Sequence, residues 1–319
     1  MPRSLALYAR LAVSALLVAW LIHSVDIPRP WPAIDGTGWL YVALVALLMN
    51  ADRVLMAYKW SILLRAKQVG LPFAEVVRSY YIATFWGAFL PTSLGGDAVR
   101  AYRVSKQTRV PGEIISSIVL ERSLGVAATF VVGTLSAILF TTMISSASWK
   151  MAMAVGIAFL VFLVAFAVSL DARLGAWLDR LLARWDAPWV HELRNIYSSY
   201  QAYRECHRPM LRSFAWSVVE QFLPVATVLL MAAALHMPLP LWSAVVFVPL
   251  ILALSRMPIS VNGFGVSEGL FVYFFAFAGV REGDAFLLGL ASHLLAILAV
   301  VPGFVYYSLS GSSPAVAPK

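Results

Sequence analysis

Cysteine and charge are what this chain has least of. Cys206 is its one cysteine, so no intramolecular disulfide staples the fold and nothing in it requires an oxidising compartment. Charged residues make up 13% of 319 positions against 61% hydrophobic ones, and the mean hydropathy is +0.80. Such a chain cannot hide its apolar surface in a water-soluble core. There is also no G-x-S-x-G, no Walker sequence and no H-E-x-x-H, which leaves hydrolase, ATPase and zinc-protease chemistry without support. The stretch "GFGVSEG" lacks the lysine and the preceding strand of a phosphate loop. His191, Cys206 and His207 lack metal-ligand spacing, so neither metal nor cofactor is expected, and the chain reads as a non-enzyme.

What is abundant is the long apolar run. A helix needs roughly 20 such residues to cross the hydrocarbon layer, and the chain offers runs at 5–25, 39–58, 114–143, 151–170, 214–235 and 285–309. Strands of a membrane β-barrel would be half that length and would alternate in polarity. The first run has the short basic start of a signal peptide but no clear small-residue cleavage site, so it is read as a retained span. The net charge of +8 would suggest nucleic acid in a soluble protein; in a membrane protein it is read by side instead. With the N-terminus in the cytoplasm, eighteen Lys and Arg fall inside and three, Arg29, Lys150 and Arg281, fall outside. Both termini are then cytoplasmic, and a bacterial plasma (inner) membrane is the expected location.

Two apolar segments, 80–96 and 241–280, break the pattern. The first ends in "PTSLGGDAVRAYR" and is flanked on both sides by basic cytoplasmic sequence, so it is expected to enter and leave by one face. Proline ends a helix and glycine permits a tight reversal. Backbone freed in this way must be buried in protein or line a wet cavity, because lipid cannot hydrogen-bond it. The second segment contains "PISVNGFGVSE", with the same order of proline, serine, two glycines and an acid, and would enter from the opposite face. Broken segments of opposite polarity in corresponding halves point to an inverted-repeat transporter with a site near the midplane. The expected fold is therefore all-α: one polytopic integral membrane helix bundle, residues 1–319, with two broken or re-entrant segments in an inverted repeat.

Ionisable residues inside such spans are costly and face the bundle interior. They are Asp52 and Arg53, with Asn50 beside them; Glu121 and Arg122; Glu220, next to Gln221; Arg256; and Glu268. Arginine's planar fork suits a phosphate or a carboxylate equally. One reading is that Arg53, Arg122 and Arg256 are neutralised by Asp52, Asp97, Glu121 and Glu268 simply to hold helices together. The other is a polar cavity for an anionic head group. On that second reading the substrate-binding or gating residues are Asn50, Arg53, Pro91, Gly95, Gly96, Asp97, Arg100, Glu121, Arg122, Arg256, Pro258, Asn262, Gly263, Gly265 and Glu268, with Glu121, Glu220 and Glu268 available for proton coupling. His293 is expected to hydrogen-bond a neighbouring helix. The cytoplasmic segment 171–212 carries Leu174, Trp177, Leu178, Leu181, Leu182 and Trp185 at helical spacing, with arginines around them. It reads either as an interfacial amphipathic helix or as an ordinary Arg-rich connector.

The ordered stretches "NADRVLMAYKWSILLRA", "PTSLGGDAVRAYR", "ERSLG" and "PISVNGFGVSEG" resemble the lysylphosphatidylglycerol synthase transmembrane family, also called flippase-like domain proteins. The family's first motif falls on Pro91, Gly95, Gly96, Asp97 and Arg100, its Glu-Arg pair on Glu121 and Arg122, and its second motif on Pro258, Gly263, Gly265 and Glu268. The resemblance implies a membrane region that moves a lipid between leaflets. Only "SGSSPAVAPK" follows the last run, so lysyl transfer is not expected. The expected activity is translocation of an anionic phospholipid or polyprenyl-linked lipid. The alternative is a non-transporting subunit, monomeric or homo-oligomeric, that recruits a lipid-modifying enzyme or glycosyltransferase.

Overall fold

The computed structural model describes His23 and residues 34–89, 95–143, 149–182, 188–255 and 265–309. Among the described residues every regular element is helical: α1 (Gly36–Ala66), α2 (Phe73–Phe89), α3 (Gly95–Thr108), α4 (Pro111–Met143), α5 (Trp149–Ser169), α6 (Ala172–Leu182), α7 (Pro188–Gln201), a 3-10 turn (Ala202–Glu205), α8 (His207–Glu220), α9 (Phe222–Ala234), α10 (Leu241–Ser255), α11 (Val266–Ala276), α12 (Glu282–Leu298) and α13 (Val301–Leu309). Four stretches, Gly36–Ala66, Pro111–Thr142, His207–Ala234 and Glu282–Leu309, are long and apolar enough to cross a membrane. The chain is a polytopic all-α membrane bundle. The expected span at 5–25 falls almost wholly outside the described residues.

Two expected spans are each broken into two helices. Pro224 has no N–H to give the Glu220 carbonyl, and Pro302 none to give that of Leu298. The chain accordingly turns at Gln221 and at residues 299–300 before continuing. Other ends carry identifiable caps. Asp35 accepts from the Gly38 N–H at 2.6 Å and from the Thr37 hydroxyl at 2.7 Å, and so starts α1. The Gly38 bond, and after it the Thr37 bond, hold the Asp35 carboxyl below its ordinary value. Gly265 caps α11 at φ +81°, where a side chain would be strained.

Contacts at both ends of each pair settle the directions. Trp60 on α1 meets Ser117 on α4, while Val45 and Phe140, toward the opposite ends of the same helices, share one core. α1 and α4 are therefore antiparallel. The α8–α9 stretch also runs against α1, with Lys59 meeting Glu220 at one end and His236, just past α9, meeting Asp35 at the other. α2 and α3 form an antiparallel hairpin: Glu75 pairs with Arg103 and Gln107 at its open end, and Gly87 lies against Gly96 near its tip. The hairpin packs its Val76, Tyr80 and Val104 against Ala57, Trp60 and Ile114. α10 and α11 pack Phe247, Phe274 and Phe275 against Val45 and Phe140. The two helix pairs thus sit toward opposite ends of the α1–α4 pair.

At 31 and 33 residues, α1 and α4 run about 46 and 50 Å, well beyond a hydrocarbon core of about 30 Å. The surplus is covered by the segment expected as a connector. Tyr203 is buried and donates to the Leu63 carbonyl at 3.0 Å, and Ser199 donates to Glu113 at 3.2 Å. The second half of 171–212 is therefore docked on the bundle. Leu47 and Leu160, in contrast, are 67% and 60% exposed, as lipid-facing residues of a membrane helix are.

Gly96 is helical, and what demands glycine there is close approach: an added Cβ would lie 2.6 Å from the Ala83 carbonyl oxygen. Gly96→Val should destabilise the protein by about 1–3 kcal/mol, the cost of overpacking, measured by thermal unfolding in detergent. Gln68 ends α1 in a Schellman motif, with Gln68 N–H donating to Arg65 and Val69 N–H to Leu64, both at 3.0 Å, and does so at φ +57°. Gln68→Gly should raise stability by about 1 kcal/mol in the same assay, since it relieves a left-handed side-chain clash.

Candidate functional site

The α2–α3 hairpin, α1, α4 and α8 enclose a cavity of about 390 Å³. Its polar wall is assembled from five helices. α1 supplies Asp52 and Arg53, α2 supplies Tyr80 and Thr84, α3 supplies Gly96, Asp97 and Arg100, α4 supplies Arg122, and α8 supplies Glu220. The chain places Asp97 and Arg100 three residues apart on one helix, so both face the same way.

Arg100 is 1% exposed; its charge is met by two acids and two aromatic rings, while its Nε has no hydrogen-bond partner. Asp97 Oδ1 lies 3.0 Å from it and Glu121 Oε2 2.8 Å. Its guanidinium stacks 4.3 Å from the Trp60 ring and 4.6 Å from the Tyr80 ring. Both rings are held in turn: Trp60 Nε1 donates to Ser117 at 2.9 Å and Tyr80 OH to Glu121 at 3.2 Å. Cation–π stacking and ion pairing together offset the several kcal/mol that burying each ion costs. Asp97 also reaches Arg122 Nε at 2.7 Å, and so bridges two arginines.

Arg53 is bound more loosely. Asp52 lies 3.8 Å away, NH1 donates to the Met56 sulfur at 3.2 Å, and Nε is buried without a partner. Asp52 and Arg53 also line a second cavity of about 350 Å³ between α1, α9, α10, α11 and α12, where Thr227, Ser255, Ser267, Ser292 and His293 are the other polar groups. One residue pair on α1 therefore borders both spaces.

The remaining expected residues are placed as follows. Asn50 lines neither cavity; it donates to the Ala46 carbonyl and accepts from Tyr81 OH. Glu121 stands behind Arg100 at 4% exposure. Glu268 is buried, with one carboxylate oxygen capping Gly265 N–H at 2.7 Å and the other 2.9 Å from His293 Nδ1, so His293 does meet a neighbouring helix. Glu220 pairs with Lys59, which also donates to Ser217 at 3.1 Å. Gly95 is buried at the start of α3. Pro91, Arg256, Pro258, Asn262 and Gly263 lie outside the described residues.

Residues 7–303 match the model of the lysylphosphatidylglycerol synthase TM region. The chain belongs to that family. No curated protein and no solved structure matches it. Membership in this family, together with the apolar helices, makes it an integral membrane protein of a lipid-related kind.

Three residues of the site escaped sequence reasoning. Lys59, at the end of an apolar run, carries the signature of a cytoplasmic charge, yet it is 2% exposed inside the bundle. Removing it and Arg100 from the inside tally leaves the charge asymmetry large. Trp60 and Tyr80 carry no signal in a chain with 13% aromatics; only the arrival of Arg100 between them gives them a role.

Truncating one partner of a buried pair leaves the other uncompensated. Arg100→Met should cost roughly 3–5 kcal/mol, and adding Glu121→Gln should return part of it, a coupling that a double-mutant cycle of detergent unfolding would measure.

Proposed function

We propose that the protein is a lipid translocase that carries an anionic or phosphate-bearing head group through the polar cavity while the hydrocarbon tails stay in the bilayer. The observation that supports this most is Arg53. Its Nε is buried without a partner and the acid beside it, Asp52, is 3.8 Å away, whereas Arg100, whose Nε also lacks a hydrogen-bond partner, has acids at 3.0 and 2.8 Å; Arg53 alone of the two borders both cavities. A phosphate or carboxylate would complete its hydrogen bonding, as the fork of a guanidinium suits both. The anionic phospholipid and the polyprenyl-linked lipid share this chemistry. No covalent step is assigned to the protein.

The helix pairs packed toward opposite ends of the α1–α4 pair support the inverted-repeat reading. In it α2–α3 re-enters from the cytoplasmic face and α10–α11 from the other, in a bacterial inner membrane with both termini cytoplasmic. Glu121, Glu220 and Glu268 are each held by a specific partner, Arg100, Lys59 and His293. The path is equilibrative or coupled to an ion gradient, and these three carboxylates are the groups that would take up a proton.

The test is movement of head-group-labelled lipids in liposomes containing the purified protein, comparing phosphatidylglycerol, a polyprenyl phosphate and a neutral lipid. The anionic lipids should move and the neutral one should lag. Arg53→Gln should slow the anionic lipids about tenfold, the equivalent of one charged hydrogen bond. No movement of any lipid by folded protein would sink the reading and leave the recruiting subunit.

A further inference from the structure

Adjacent residues on a helix point about 100° apart, so they do not face one another. Asp52 and Arg53 are adjacent near the midpoint of α1, and their pairing is open for that reason. Arg53 Nη1 and Asp52 Oδ2 stop at 3.8 Å, beyond hydrogen-bond reach. Among the described residues no hydrogen bond reaches the Asp52 carboxylate. The other acids around the polar cavity are engaged. Asp97 lies 3.0 and 2.7 Å from Arg100 and Arg122, Glu121 lies 2.8 Å from Arg100, and Glu220 pairs with Lys59. Asp52 and Arg53 keep 20% and 26% of their side-chain surface exposed, and both belong to the walls of both cavities. A carboxylate and a guanidinium, each undersatisfied, thus stand side by side where the two spaces meet.

Building on the translocase reading, we propose that Asp52 is the residue that releases the head group, because it competes with the lipid phosphate for Arg53. A fixed cation in an apolar bundle holds an anion strongly, and passage requires a site that binds well enough to load and weakly enough to empty. An acid close enough to pull on that cation, and too far away to bond it, supplies this balance. With the cavity empty, Asp52 compensates Arg53 across the gap. An arriving phosphate takes the Arg53 Nε that lacks a partner, and as it leaves Asp52 recovers the charge. Arg100 has no such part, since acids at 3.0 and 2.8 Å already hold it. Asp52 acts on the lipid through Arg53, and is therefore a positioning residue.

The experiment sets binding against movement. The full chain in detergent is titrated calorimetrically with short-chain phosphatidylglycerol, and the same variants are assayed for movement of head-group-labelled phosphatidylglycerol in liposomes. Thermal unfolding shows that each variant is folded. Asp52→Asn removes the competitor, so it should bind the lipid about tenfold more tightly and move it about tenfold more slowly, tenfold corresponding to about 1.4 kcal/mol. Asp52→Glu keeps the charge and reaches Arg53 better, so it should shift binding the opposite way and weaken it. That variant carries the test if Asp52→Asn does not fold. Equal loss of binding in both variants would mark a structural role and overturn the proposal, and so would binding that neither variant changes. Binding needs no lipid movement. Opposite shifts in binding without translocation by the wild type would leave the competition standing and remove the translocase; translocation that neither variant alters would do the reverse.

Discussion

A charge inside an apolar bundle has to be matched within the protein, and Arg100 is where this protein meets that constraint most fully. Its guanidinium gathers Asp97 from its own helix, Glu121 from α4, Trp60 from α1 and Tyr80 from α2. Four helices converge on one group because none alone could supply both counter-charge and aromatic face. The convergence fixes the hairpin against α1 and α4, and with it the position of Asp97 and Arg122. The polar cavity is the space left beside this knot. Arg53, whose Nε is buried without a partner, and Arg122, paired with Asp97, stand at its margin on the cavity wall.

The helix breaks have a related cause. Pro224 and Pro302 each remove a backbone bond within a span, and the freed groups have to find shelter in protein because lipid offers none. The first of these breaks falls beside Glu220 and its Lys59 partner, against α1, so irregular backbone, buried charge and cavity occur together. Gly96 adds the last condition: without a side chain there, α3 comes close enough to α2 for Asp97 and Arg100 to face inward.

Residues that were legible in advance are those whose chemistry is conspicuous wherever they sit. Asp52, Arg53, Glu121 and Arg122 interrupt apolar runs, and their interior placement follows from cost alone. Lys59 was misread because its position at a run's end is the normal place for a cytoplasmic lysine; Glu220, 161 positions away, is what draws it inside. The role of the glycine pair shifted as well. A reversal was expected around it, where residues 90–94 lie outside the described ones, and Gly96 also serves close helix contact. The segment 171–212 read as an interfacial amphipathic helix or an Arg-rich connector, and Tyr203 and Ser199 dock its second half on the overlong ends of α1 and α4.

The sequence by itself determined that this is a polytopic helical membrane protein, that charges such as Glu121 and Glu268 lie in its interior and which family it resembles, because hydropathy, charge cost and ordered motifs are properties of the chain read locally. The tertiary structure alone decided which charges meet. Whether Asp97 serves Arg100, Arg122 or both depends on distances between helices far apart in the chain, and a cavity is a property of the space between elements that no single element encodes.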